Sequence, residues 1–342
     1  MKIAILTATL TPHSGIDRVV EQQAKKHIQA GDSVTILTFE ATMEINGATI
    51  EIIGAPRNSL LERIYRLLFF LDVAKINRYA HSLKDFDEIH AYQYPMSIIA
   101  SRAKTKYGVP FHYLNHGIAP AHTFETIVEK MYIRLITKLT NYVVRKADHV
   151  QSISKYLADV LRSETGVEST VTKELFNIDT DRFNREIDST KIRKQYNIGN
   201  NPLILYVGRI SPHKGIHLLL DAFELVRDKV PEAYLVIVGK QTFSTYQKKL
   251  KIRAGEHVIF TGFVEDQELP YYYSACDVYA TATLWEGFDL PIVEAQAYGK
   301  PVVAFDLCAH PEVVDDRGIL VEPKNIQQFA DALLKQIHHE KK

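Results

Sequence analysis

The stretch Thr281-Ala-Thr-Leu-Trp-Glu286-Gly-Phe-Asp-Leu-Pro291-Ile-Val-Glu294 decides the fold of this chain. Residues 277–280 before it are strand-like. Pro291 predicts the first turn of a helix, because its missing N–H needs no partner there, and Gly299 marks the end of that helix. Glu294 is then expected in the first helical turn and Glu286 in the loop before it. One carboxylate follows a strand and the other opens the next helix, at the edge of an open α/β sheet where ligands bind. Two acids so placed could coordinate a metal, do acid/base chemistry or accept hydrogen bonds from hydroxyls. An acid that only complements its helix dipole is the plain alternative.

With its neighbours added, Glu286-Gly-Phe-Asp-Leu-Pro-x-x-Glu294-Ala-x-Ala-x-Gly299-x-Pro-Val-Val-Ala304 closely resembles the signature of retaining, nucleotide-sugar-dependent glycosyltransferases of the GT-B type. More narrowly, it resembles the group 1/family 4 enzymes, which include bacterial mannosyltransferases and sucrose and trehalose synthesis enzymes. The resemblance implies an α/β protein of two Rossmann-like domains whose parallel sheets face each other across a cleft. It assigns Glu286 to the donor sugar hydroxyls and Glu294 to the nucleotide ribose. Gly287, Phe288, Asp289 and Leu290, between them, join the donor site.

Working outward, Pro202-Leu-Ile-Leu-Tyr-Val-Gly208-Arg209-Ile-Ser-Pro-His-Lys214-Gly215 reads as a buried strand ending at glycine. A tight cationic loop then feeds a helix over 216–228. A rigid guanidinium fork and a mobile ammonium together suit a diphosphate; two solvated basic side chains are the plain alternative. The family carries Gly-Arg and Lys-Gly at this spacing, so the resemblance sets Arg209 and Lys214 on the departing diphosphate. Gly239 closes the next strand and allows close approach. Residues 257–264 resemble the family's base-binding strand and turn, with backbone groups at Phe263 and Val264 framing the nucleobase. The family's glycine pair before Pro-Glu is replaced here by Leu307-Cys-Ala-His310-Pro311-Glu312, which leaves His310 without a role. Burial is the simple expectation for Cys308.

The first half begins with a strand over 2–9, the turn at Thr11-Pro-His-Ser14-Gly15, a helix to about Ala30 and a strand over 34–39, the start of a Rossmann-like unit. No dinucleotide fingerprint is present, which argues against hydride transfer. The family's loop here often has paired glycines whose amides face the donor phosphates. Ser14-Gly15 is a partial match, and an ordinary turn is the alternative. A single apolar helix is expected over 60–79. His116-Gly117 ends a strand at the ligand-binding edge. A histidine there is a packed core residue or a donor to a sugar hydroxyl or leaving oxygen; the resemblance points to the second. His112, four residues earlier, shares its face and is a weaker helper. Residues 123–146 are helical in pattern, with Lys130, Arg134, Lys138 and Arg145 on one side. A solvated surface helix accounts for them; contact with an anionic lipid or phosphate-bearing acceptor is the alternative. The expected domains are 1–182 on the acceptor side, a linker over 183–201, and 202–342 holding the nucleotide sugar.

The chain has 342 residues, 46% apolar and 24% charged, with zero formal charge. That balance gives no support to a nucleic-acid partner. Two cysteines, Cys276 and Cys308, argue against a disulfide scaffold or a cysteine metal cluster. The opening apolar run is short for a signal peptide, and no run is long enough to span a membrane. Cytoplasmic residence is expected, with peripheral contact at the inner membrane face through 123–146 as the open alternative. The expected reaction moves a hexose from a UDP-, GDP- or ADP-linked donor to a hydroxyl on a sugar, lipid-linked or other acceptor. The base is not distinguished, and no tightly bound cofactor or required metal is expected. His116, Arg209, Lys214 and Glu286 are the expected catalytic set. The competing readings are a nucleotide-sugar epimerase, a phosphorylase, and a non-catalytic nucleotide-sugar binder.

Overall fold

A computed structural model describes residues 1–11, 15–56, 58–124, 126–172, 187–240 and 244–339. The chain divides into two compact units, Met1–Phe176 and Asn177–Lys342. His13, Ser14 and residues 173–186, across the expected domain boundary, lie outside the described residues.

The first unit runs β1 (Lys2–Leu6), β2 (Thr9–Leu10), α1 (Gly15–Gln29), β3 (Ser33–Thr38), β4 (Glu40–Ala41), β5 (Ala48–Ile52), α2 (Ser59–Leu68), α3 (Val73–Ser82), β6 (Glu88–Ala91), α4 (Ser97–Tyr107), β7 (Phe111–Asn115), α5 (Ile127–Val144), β8 (His149–Ser152), α6 (Lys155–Thr165) and β9 (Thr170–Val171). Its sheet has the order β5-β3-β1-β6-β7-β8-β9, and the neighbours pair in parallel. Apolar runs such as Ile3–Leu6 are fully buried because helices cover both faces of such a sheet.

The second unit runs α7 (Thr190–Gln195), β10 (Leu203–Val207), α8 (Ile216–Arg227), β11 (Tyr234–Val238), α9 (Ser244–Arg253), β12 (Val258–Gly262), α10 (Leu269–Ala275), β13 (Val278–Thr281), α11 (Leu290–Ala297), β14 (Val302–Phe305), α12 (His310–Val313), β15 (Ile319–Val321) and α13 (Ile326–His339). Its parallel sheet has the order β12-β11-β10-β13-β14-β15. The order reverses beside β10, so the loops after β10 and β13 flank the switch point of the sheet.

An aspartate just before a strand recurs as a register device. The Asp87 carboxylate accepts from the Lys2 amide, Asp148 from Phe111 and Asp277 from Leu203. Each satisfies an amide at the start of the neighbouring strand that would otherwise have no ladder partner. One guanidinium nitrogen of Arg193 also donates to both Asp277 carboxylate oxygens at 2.9 Å. Arg193 lies on α7, so that helix, within the expected linker, is pinned to the second unit.

Two expectations are corrected. The helix expected over 60–79 breaks in two, because the Asp72 side chain accepts from the Lys75 amide and caps a new helix there. Cys308 is half-buried rather than buried and takes a left-handed φ of 55°. It stands where the family's glycines relieve that conformation. Cys276 is buried.

Candidate active site

In the second unit the site grows from the loop after β10. Residues 212–214 form one turn of 3-10 helix that ends at Gly215, φ +65°. A Cβ at Gly215 would lie 1.8 Å from the Ala282 carbonyl oxygen, so only glycine lets this loop pack on the loop after β13. The Leu284 amide and the Thr283 hydroxyl then both donate to the His213 carbonyl, at 2.7 and 3.2 Å. This docking brings the Lys214 ammonium onto the Glu286 carboxylate as an ion pair, both side chains largely buried. Two residues read as separate contacts to phosphate and sugar are thus partners. Arg209 stays exposed at the mouth of the same loop, and the Tyr206 hydroxyl beneath donates to its carbonyl.

Gly208, Gly239 and Gly262 end three adjacent strands and interlock through their backbones. The Gly208 amide donates to Val238 and the Gly239 amide to Gly262. A Cβ at Gly239 would fall 1.8 Å from the Gly208 carbonyl oxygen, so the close approach expected at Gly239 is to Gly208. Phe263 follows, 42% exposed, and Val264 is half-buried.

Glu294 is 7% exposed and accepts from the Tyr273 hydroxyl at 2.6 Å. It is the fifth residue of α11, not a first-turn acid, because the helix starts at Leu290 rather than Pro291. Asp289 caps that helix from a left-handed conformation, φ +67°. Its carboxylate turns inward, taking the Thr281 hydroxyl at 3.4 Å and facing His310 Nε2 at 3.2 Å. Only its backbone remains for a ligand. His310 is fully buried, and its Nδ1 donates to the Phe305 carbonyl at 2.7 Å. Gly287 is buried and Phe288 and Leu290 are half-buried. Under these acids lie Tyr206, Tyr273 and Tyr279, whose hydroxyls burial holds far above the usual tyrosine range, with nearby carboxylates adding to the effect. Reading the sequence missed Tyr273 and the Asp289–His310 pair. Tyr273 sits in a run of three tyrosines on an apolar helix, and that run shows no sign of which ring reaches an acid.

In the first unit Gly15 opens α1. Asp17 of that helix is 1% exposed and fixes the preceding chain by accepting from both Thr9 and Thr11 hydroxyls and the Thr11 amide. His116 stands just past β7, 8% exposed, its ring 5.2 Å from that of Tyr92. Burial pushes it down to about 4, so it works as a neutral hydrogen-bonding group. Gly117, φ +74°, makes the turn. Asn115 Oδ1 accepts its amide and the Gln93 side chain donates to its carbonyl. His112 shares the face of His116 but sits at the other end of the strand, roughly 13 Å away at 3.3 Å per residue.

Two family models match in tandem: Glycosyltransferase Family 4 over residues 13–173 and Glycosyl transferases group 1 over 188–342. The chain is a GT-B-fold glycosyltransferase related to these families. The enzyme is 31% identical over 198 residues to a GDP-mannose-dependent alpha-(1-6)-phosphatidylinositol monomannoside mannosyltransferase of Mycobacterium tuberculosis, 54% of this chain and 51% of the relative. It is 30% identical to the lipopolysaccharide core biosynthesis mannosyltransferase LpsB of Rhizobium meliloti, over 57% of each. The chain therefore spans about half the length of the curated relatives it matches. Among solved structures, Anabaena HepE in complex with UDP and glucose superposes with a TM-score of 0.82 at 24% identity, covering 100% of this chain and 91% of that one. Sucrose-phosphate synthase from Thermosynechococcus elongatus gives 0.80 at 20% identity, over 98% and 90%. These likenesses show the GT-B fold of two parallel-sheet, Rossmann-like domains. No helix among the described residues is long and apolar enough to cross a membrane.

Proposed function

We propose that this glycosyltransferase moves a hexose from a nucleoside-diphosphate sugar to an acceptor hydroxyl with retention of anomeric configuration. The observation that carries the reading is the Lys214–Glu286 pair at the switch point of the second unit, with Arg209 exposed beside it. A donor puts a diphosphate and sugar hydroxyls in one ligand, so the ammonium meets the phosphate while the carboxylate accepts from hydroxyls. The second unit holds the nucleotide and the first the acceptor. Glu294 takes the ribose, and the exposed face of Phe263 lies at the base position.

The chemistry follows from the charges. Breaking the anomeric bond leaves negative charge on the diphosphate, which Arg209 and Lys214 neutralise. That phosphate accepts the proton of the incoming hydroxyl on the same face of the sugar. His116, held neutral by burial, orients sugar hydroxyls without forming a covalent bond. Ser14 and Gly15 contribute on the phosphate side. The relatives named above cover GDP-mannose and UDP with glucose, so the donor class is a purine or pyrimidine nucleotide hexose.

The acceptor is lipid-linked, and the enzyme works in the cytoplasm at the inner membrane face. In support, α5 begins with Ile127, Val128 and Met131, 75%, 76% and 63% exposed, with Glu129 and Lys130 between them and Arg134 and Lys138 following. Arg145 leaves the basic row seen in the sequence, because it donates to carbonyls of Glu164 and Thr165. Incubation with GDP-mannose, UDP-glucose and ADP-glucose and a lipid extract, followed by product mass and proton NMR of the new anomeric centre, tests the reading. Hydrolysis or epimerisation without a transfer product excludes it, and an inverted product excludes the role given to the diphosphate.

A further inference from the structure

Across the interior strands of the first unit's sheet, three histidines lie side by side. His90 of β6 is in register with His112 of β7, and His112 with His149 of β8. The His90 and His112 rings stack at 4.8 Å and 4°, the spacing of the strands themselves. Glu88, two residues before His90, projects from the same face. Its Oε2 lies 3.1 Å from His90 Nε2 and 3.6 Å from His112 Nε2. One ligand atom from each of the three lies within 4.8 Å of the others.

We propose that Glu88, His90 and His112 bind a first-row transition-metal dication of the zinc class. Ligands about 2.0–2.1 Å from a tetrahedral ion sit about 3.3–3.4 Å apart, which is close to the separations from Glu88; the two stacked rings turn out of their parallel planes for both Nε2 lone pairs to meet at one ion. Two imidazoles and one carboxylate select such an ion over magnesium or calcium, which prefer all-oxygen sets. The outer groups fit as well. Gln23 of α1 places its amide 2.7 Å from His90 Nδ1, and the Tyr92 hydroxyl holds that amide at 2.6 Å. In the free protein the amide nitrogen faces Nδ1 and its oxygen accepts from Tyr92, so binding an ion at Nε2 entails turning the amide over to accept from Nδ1–H, the usual arrangement behind a metal-bound imidazole. The Glu88 and His112 side chains are 29% and 20% exposed, so an ion has a way in and water a fourth position. Nothing in the transfer chemistry uses this site. It lies within β6 and β7, where His90 is the third of four strand residues and His112 the second of five, four residues before His116. Glu88 and His90 share one strand and His112 comes from the next, so the spacing in the sequence shows only two of the three ligands.

The test uses the intact chain, freed of any purification tag and stripped with a chelator. Calorimetric titration with Zn²⁺ should show one ion bound per chain, and Co²⁺ should give the visible absorbance of a low-coordinate site. Glu88→Gln and His112→Gln change one ligand each without emptying the core. Each should weaken Zn²⁺ binding at least roughly tenfold, the lower bound for disturbing even an outer partner, and the double variant should abolish it with circular dichroism unchanged. No one-to-one binding by the unaltered chain, or equal affinity in the folded double variant, overturns the proposal.

Discussion

Lys214 and Glu286 neutralise each other across two loops, and that pairing sharpens what their replacement should do. Arg209→Ala or Lys214→Ala should lower turnover roughly 10²–10³-fold, the cost of one well-placed transition-state donor, and the double variant should be nearly inactive. Near-normal turnover by the folded double variant would remove the diphosphate assignment. Glu286→Gln should leave free nucleoside diphosphate bound as tightly or more tightly, because the ammonium loses its internal competitor. Glu294→Gln should weaken that same ligand, its carboxylate being oriented by Tyr273. Titration with a sugar-free nucleoside diphosphate separates the two, and equal losses in both variants contradict the division.

At the scale of elements, α11 shows how a departure from the family pattern is accommodated. Asp289 holds a left-handed conformation and a buried contact to His310 at once. His310 Nδ1 donates to the Phe305 carbonyl, which leaves Nε2 facing the carboxylate. Asp289→Ala should lose the pair and keep the backbone strain, whereas Asp289→Gly loses only the pair. The alanine variant is therefore expected to be less stable than the glycine variant by roughly 1 kcal/mol. Urea unfolding of both checks this, and equal midpoints would show that the turn carries no strain. The sequence set Asp289 in the expected donor site and left His310, twenty-one residues on, without a role, since the strand and turn that join them are long-range structure.

For the whole molecule, buried histidines set the response to acid. His116 in the first unit and His213 in the second are both held down to about 4, His116 by burial and His213 by burial followed by Lys214 and Arg209. Unfolded, each titrates near 6.5, so between these values the unfolded chain binds more protons. Their contribution is complete above about pH 6.5 and is lost as pH falls toward 4. The urea midpoint should fall from pH 7 to pH 5, and His116→Gln should flatten part of that fall. An unchanged pH profile in that variant would show that His116 contributes no such linkage.

The sequence by itself determined the alternation of strands and helices, the parallel sheets and the glycine-marked loops after β10 and β13. Those signals are local: an apolar run, a glycine turn, a proline at a helix start, a basic pair between two glycines. Tertiary structure alone decided which charge meets which. The Lys214–Glu286 pair, the hold of Tyr273 on Glu294 and of His310 on Asp289, and the row of histidines across three strands all join residues far apart in the chain. Parallel strands meet only through crossovers, so their register sets these contacts and no short window of sequence contains them.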